Sequence, residues 1–127
     1  MSKNKETTQV QNPAMLAVGS MPDVLVWRLQ SGLFRAYNTP AKLVRVGSPG
    51  MADCMAVVKV TITPDMVGKT IGHAVAAEFK LPTTGKQQEN QKDWQKAFEQ
   101  RGGVYKVVRS AVEMLDLVND VKSGKLL

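Results

Sequence analysis

The run of residues 73–80 constrains the fold most, because its polarity alternates with a period of two. An extended chain turns successive side chains to opposite faces. One face then reads His73, Val75, Ala77, Phe79, and the other Ala74, Ala76, Glu78, Lys80. The first is apolar enough to serve a core. The second sets a carboxylate beside an ammonium, next to alanines that leave open space around the pair. The run therefore predicts a half-buried strand with two opposite charges at its end.

Around that strand the turn residues divide the chain. Residues 5–18 have helical composition, interrupted by Pro13 unless that proline opens a second helix capped by Asn12. Met21-Pro22-Asp23 is a break, and residues 24–30, rich in Val, Leu and Trp, read as a strand. Ser31-Gly32 predicts a turn, and residues 33–37 the second arm of a hairpin. Asn38-Thr39-Pro40 opens a loop, and Gly47-Ser48-Pro49-Gly50 is a sharper break. Residues 54–62 predict the next strand, and Thr63-Pro64-Asp65-Met66 a capped helical turn. Residues 87–100 favour a helix whose apolar members, Trp94, Ala97 and Phe98, fall at helical spacing. Gly102-Gly103 stops it. Residues 104–109 form a last strand, and Ser110 with Glu113 has the spacing of a capping box for a helix to about residue 121. The order helix, hairpin, strand, strand, helix, strand, helix predicts an α/β fold, a mixed central β-sheet flanked by helices. At 127 residues the chain has the size of one domain, expected to span 1–127, with an N-terminal helical segment at 1–20.

Charge narrows the partners. There are 17 Lys and Arg against 11 Asp and Glu, a formal net charge of +6, which favours an anionic partner. Between residues 25 and 62 the cations are Arg28, Arg35, Lys42, Arg45 and Lys59, and the only acid is Asp53. A membrane surface fits poorly, since no helix is both basic and strongly apolar. No run approaches the length of a membrane span, and residues 1–13 lack an apolar signal core. Cys54 is the one cysteine, so no disulfide forms within the chain, and a reducing, cytoplasmic setting is expected.

Asp53 opens a strand after a glycine-rich turn, and Glu78 and Lys80 close another. If those strands are neighbours, all three groups converge at one sheet edge. Two carboxylates suit a hard divalent cation such as Mg²⁺, with the Phe79 carbonyl as a further oxygen. Such a cation lowers the pKa of bound water and neutralises phosphate charge, while a lysine orients the water or stabilises a pentacovalent phosphate. Gln91, Trp94, Gln95 and Phe98 share one helical stripe, so docking the aromatics on the sheet holds Gln91 near the strand ends.

At these residues the chain resembles a known family. Asp53 followed by Glu78-x-Lys80 is similar in outline to the signature of the PD-(D/E)xK nucleases. Arg45-Val46-Gly47-Ser48-Pro49-Gly50-Met51-Ala52-Asp53 resembles the "fG-x-pG-x-xD" segment of VRR-NUC domains, the virus-type replication-repair nucleases. Gln91 through Gly102-Gly103 and Val108-Arg109-Ser110 resemble that family's "Q…GG…a-r-S" ending. The resemblance covers about residues 27–117. It implies a restriction-endonuclease-like core at 24–118 and a metal-dependent endonuclease acting on DNA, expected at branched structures such as Holliday junctions. In that pattern Asp53 and Glu78 ligate Mg²⁺ or Mn²⁺, Lys80 assists the hydrolytic water and Gln91 completes the motif. Glu6 is the one candidate for a further acid on the first helix. Members of this size resemble homodimeric junction resolvases, and an isologous dimer supplies the two sites that symmetric cleavage needs. Met51-Ala52 stand where many members have serines, which removes possible hydrogen bonds but no ligand.

Plainer roles stand beside these. Glu78 and Lys80 alone make an ordinary solvated ion pair. Asp53 alone is a turn residue, and Gln91 a surface amide for which Gln95, one turn on, is a substitute. Trp94, Phe98 and the Phe79 ring are expected in the core, and Trp27 in the core or at a dimer contact. His73 is expected to be structural, and Cys54 a small buried apolar residue. A non-catalytic DNA-binding or scaffold module on the same fold needs the basic residues but not the three charged site residues together.

Arg28, Arg35, Lys42 and Arg45 are expected to meet DNA phosphates. Each such contact releases counterions, so affinity measured by fluorescence anisotropy should fall steadily between low and moderate salt. An affinity indifferent to salt would remove them from the interface.

Overall fold

The computed structural model describes residues 3–30, 32–39 and 41–127. The chain divides into two compact units, Met1–Ala56 and Val57–Leu127, and each is described by itself.

The first unit opens with α1 (Lys3–Glu6), a π-helical turn (Thr7–Gln11) and α2 (Asn12–Gly19) in succession. The π-turn answers the problem posed by Pro13. Proline has no N–H to give the preceding turn, and a widened turn ahead of it absorbs the mismatch. Pro13 then sits in the first turn of α2, and Gln11 rather than Asn12 holds the N-cap position, with helical dihedrals and no side-chain cap bond. Glu6, at the end of α1, is exposed. Met21 N–H donates to Val18 O at 3.0 Å and Val24 N–H to Met21 O at 3.2 Å, turning the chain into β1 (Val24–Arg28). α2 packs on β1, where a methyl group added to Gly19 would come within van der Waals distance of Val26.

Of the expected turn at Ser31-Gly32, Ser31 lies outside the described residues, as does Pro40 of the expected loop. The hairpin expected between residues 24–30 and 33–37 does not form. β2 (Gly32–Arg35) pairs antiparallel with β3 (Leu43–Val46), a strand within the expected loop, in the register Leu33↔Arg45 and Arg35↔Leu43. β1 instead pairs with β4 (Cys54–Val58). Ala36 N–H donates to Lys42 O and Lys42 N–H to Thr39 O, both at 2.9 Å, closing the β2–β3 connection. That backbone closure selects the partner, and hydrophobic content alone does not encode it.

The second unit holds a 3₁₀ turn (Pro64–Met66), β5 (Val75–Phe79), α3 (Glu89–Gln100), β6 (Val104–Val108) and α4 (Ala111–Lys122). β5 and β6 are parallel, in the register Ala76↔Tyr105, Glu78↔Val107 and Phe79↔Val108, with α3 as the crossover between them. The α/β class is therefore observed. Among the described residues the strands pair as three two-stranded sheets, β1–β4, β2–β3 and β5–β6, rather than as one mixed central sheet.

α3 stops in a Schellman turn. Gly103 N–H donates to Phe98 O at 3.1 Å and Gly102 N–H to Glu99 O at 3.0 Å, with Gly102 at φ +91°. Phe98 is 2% exposed and its ring lies against Gly103. Trp94 stacks on Phe98 at 4.9 Å between centroids and tilts against Tyr105 of β6 at 6.1 Å. His73 Nε2 donates to Gly102 O at 3.0 Å, which fixes the proton on Nε2 and gives His73 its structural role. On α4, Ser110 Oγ accepts from Glu113 N–H at 3.1 Å, as the sequence predicts, while the Glu113 carboxylate takes the N–H of Arg109 at 2.6 Å instead of that of the cap residue. Among the described residues no helix is long and apolar enough to cross a membrane.

A methyl group on Gly103 would overlap the Phe98 ring. Gly103→Ala is expected to cost about 1–3 kcal/mol by overpacking, and Phe98→Ala about 3–5 kcal/mol by leaving a cavity. Urea unfolding of the two single variants and the double variant checks this, and strict additivity would show that the two groups do not meet.

Candidate active site

Glu78, Lys80 and Gln91 come together in the second unit. Glu78 and Lys80 lie on the face of β5 that continues through Tyr105 and Val107 of β6. α3 covers that face, since Trp94 reaches Tyr105 and Gln91 reaches Glu78. Gln91 Nε2 donates to Glu78 Oε1 at 2.6 Å, and Lys80 Nζ stands 3.6 Å from the same oxygen. The side chains of Lys80 and Glu78 are 16% and 28% exposed. This is a half-buried pair with a third polar partner.

The Gln91 amide is held at both ends. Its Oε1 accepts the Gln88 N–H at 2.9 Å, while the Gln88 side chain receives the Gln91 backbone N–H, a capping box at the start of α3. With Oε1 committed, only the Nε2 end faces Glu78, so the amide acts there as a donor. Gln95 is not interchangeable with Gln91, because its Oε1 accepts from Gln87 Nε2 at 2.7 Å.

Both contacts to Glu78 fall on Oε1, so Oε2 has no hydrogen-bond partner among the described residues. The ladder to β6 uses Ala74 O and Lys80 N–H. With a period of two, the main-chain groups of Val75, Ala77 and Phe79 turn to the other edge of β5. The Phe79 carbonyl is thus not spent on β6. A free carboxylate oxygen and a free carbonyl oxygen are of the type that a hard cation takes. Among the described residues no three His, Cys, Asp or Glu side chains form a metal-holding group.

The Phe79 ring departs from expectation. It is 70% exposed instead of being in the core. α4 starts directly after β6 and lies over it, burying Val108 and Leu117. Phe79, one strand over, is left as a wall of a hollow of about 490 Å³ shared with Val108, Met114, Leu115 and Val118. Leu81 and Thr84 carbonyls, with that of Gly85, receive the guanidinium of Arg109.

Asp53 belongs to the first unit, where it is exposed. Its carbonyl accepts the Leu29 N–H at 2.9 Å, which joins the segment 47–53 to the end of β1. Arg28 stands there, lining a hollow of about 520 Å³ with Leu29, Gln30, Val46, Gly47 and Met51. Asp53 stands in a bend just before β4 and does not open the strand; β4 pairs with β1 and β5 with β6, so no described ladder joins β4 to β5. Cys54 is exposed, not buried, because β4 presents it outward at the first position of the strand. Trp27 is half-buried.

The β2–β3 register settles how the basic residues group. Leu33 faces Arg45 and Arg35 faces Leu43 across the ladder, and residues 33 and 35 share a face of β2. Arg35 and Arg45 therefore lie diagonally on one face of the hairpin, with Phe34 and Val44 on the other. Lys42 sits exposed just before β3. Sequence reasoning did not find Gln88 or the side-chain role of Arg109. The Gln88–Gln91 spacing of three was readable as a capping box, whereas the partners of Arg109 lie 24 to 28 positions away and no local pattern signals them.

No family model, curated protein or solved structure matches this chain.

Removing the Gln91 amide should leave both Gln88 N–H and Glu78 short of a partner. Gln91→Ala is expected to lose about 1–3 kcal/mol in urea unfolding. Gln91→Glu keeps an acceptor for Gln88 but opposes two carboxylates. Amide exchange at Gln88 should then quicken in the alanine variant and not in the glutamate one.

Proposed function

We propose that the protein is a divalent-metal-dependent DNA endonuclease of the VRR-NUC kind, with a restriction-endonuclease-like core, acting on branched DNA such as four-way junctions. One observation carries the reading. Gln91, 13 positions beyond Glu78 and on another element, lands on the carboxylate that the Glu-x-Lys pattern singles out. An incidental surface ion pair needs no such third partner.

In this reading Asp53 and Glu78 are the carboxylates that would ligate Mg²⁺ or Mn²⁺, with the Phe79 carbonyl as a further oxygen, and such a metal would supply activation of water and offset charge on the scissile phosphate. Gln91 orients Glu78 by occupying Oε1. Lys80, beside that carboxylate, orients the attacking water and stabilises negative charge as the pentacovalent phosphate forms. The new bond is water oxygen to phosphorus, the ester bond opposite it breaks, and the departing alkoxide takes up a proton. Arg35 and Arg45, on one hairpin face, with Lys42 and Arg28, bind backbone phosphates. Glu6 is a weaker candidate for an added carboxylate, being exposed at the end of a one-turn helix. Cutting two strands symmetrically calls for a second copy of the chain in a homodimer.

The paired arginines on the hairpin face also favour a second reading, a DNA-binding or scaffold module without catalysis, since that face needs no metal. Cleavage assays on junction, flap, duplex and single-stranded DNA, with Mn²⁺, Mg²⁺ or chelator, separate the two. Metal-dependent cutting of the junction is expected. Asp53→Asn and Glu78→Gln should abolish it, and Lys80→Ala should lower it by about 10²–10³-fold, with DNA binding retained in all three. Full activity in Asp53→Asn and Lys80→Ala would sink the nuclease reading, and binding without cutting by the unaltered protein would establish the module.

A further inference from the structure

Arg109 commits its guanidinium to the loop 81–85. Nη1 donates to Leu81 O and Thr84 O, each at 2.8 Å, and Nη2 to Gly85 O at 2.9 Å. Three carbonyls of the loop 81–85 thus converge on one side chain. The anchor behind it is equally defined. Arg109 N–H is held by Glu113 Oε2 at 2.6 Å, and Glu113 N–H by Ser110 Oγ at 3.1 Å, so the start of α4 grips the main chain of Arg109. The preceding carbonyl, Val108 O, accepts the Lys80 N–H at 3.1 Å. Arg109 and Lys80 therefore leave the β5–β6 ladder next to the same hydrogen bond.

The loop so pinned turns back on Lys80. Gly85 has φ +88°, a left-handed conformation that costs glycine little. A methyl placed on Gly85 would stand 3.3 Å from Lys80 Cδ, 3.6 Å from Cβ and 3.8 Å from Cγ. The Gly85 main chain is thus a wall along the Lys80 stem, whose ammonium ends 3.6 Å from Glu78 Oε1. A lysine side chain has many rotamers, and a reacting ammonium must occupy few of them.

We propose that Arg109 is a positioning residue for Lys80, pinning the loop 81–85 so that Gly85 confines the lysine stem and keeps its ammonium beside Glu78. The catalytic part of this role rests on the nuclease reading, and the geometric part does not. The planar fork is what the role requires, because it reaches three carbonyls at once. A lysine restores the charge but not that geometry.

The test uses the full chain with Arg109→Lys, Arg109→Ala, and Lys96→Gln as a charge control. Amide exchange at residues 83–86 and relaxation of the Lys80 ¹³Cε are read by NMR, and kcat, KM and salt-dependent binding on a junction DNA. Both Arg109 variants should speed loop exchange by about tenfold or more and loosen the Lys80 side chain. They should lower kcat by about ten- to hundredfold with KM unchanged, while Lys96→Gln changes none of these. Unchanged loop exchange or unchanged Lys80 mobility in Arg109→Lys would overturn the proposal. So would a loss confined to KM and the salt slope, which would make Arg109 a phosphate ligand. Should the unaltered protein cut no DNA, the nuclease reading fails on its own, and the exchange and relaxation data still decide whether Arg109 positions Lys80.

Discussion

The seat of the Phe98 ring against Gly103 is the constraint on which the second unit depends. α3 must end, reverse and feed β6 within a few residues, and only a glycine pair allows the turn and the ring to share that space. Gly102 supplies the left-handed dihedral, and Gly103 the missing side chain. With Phe98 held there, Trp94 is brought over Tyr105, and Gln91 one further turn back reaches the end of β5. The polar contact at Glu78 is thus a consequence of an apolar one about 10 Å away along the helix, at 1.5 Å of rise per residue.

Around Glu78 the partners are arranged by exclusion as much as by attraction. The capping box uses up the carbonyl end of Gln91, so only its donor end is left for the carboxylate. Gln91 and Lys80 both address Oε1, which leaves Oε2 open. The alternation of a parallel ladder leaves the Phe79 carbonyl on the edge away from β6. Each of these is a small geometric fact, and together they give β5 one end at which oxygen atoms are unspent and a cation is close by.

The local reading of the sequence reached much of this. The period-two run correctly placed Glu78 and Lys80 on one face, and the Trp94–Phe98 stripe predicted the docked face of α3, because both depend only on spacing along one element. It was less reliable where a choice of partner was needed. The residue types of 24–30 and 33–37 favour one hairpin, yet residues 32–35 pair with residues 43–46, whose alternation is masked by the basic residues around them. Phe79 and Cys54 look like core residues by type, but burial depends on what covers them, and α4 lies over β6 rather than over Phe79. The three carbonyls under Arg109 carry no side-chain signal at all, since every residue has one.

What the sequence determined by itself was therefore what one element can encode: the strand faces, the two glycines that end α3, the Ser110–Glu113 cap and the meeting of a carboxylate and an ammonium at the end of a strand. Tertiary structure alone decided which strands pair, that Gln91 and not Gln95 meets Glu78, and that a loop closed by Arg109 lies along the Lys80 stem. The physical reason is range. Periodicity and capping act over three or four residues, whereas pairing and loop closure compare distant segments whose affinities differ only once they are packed.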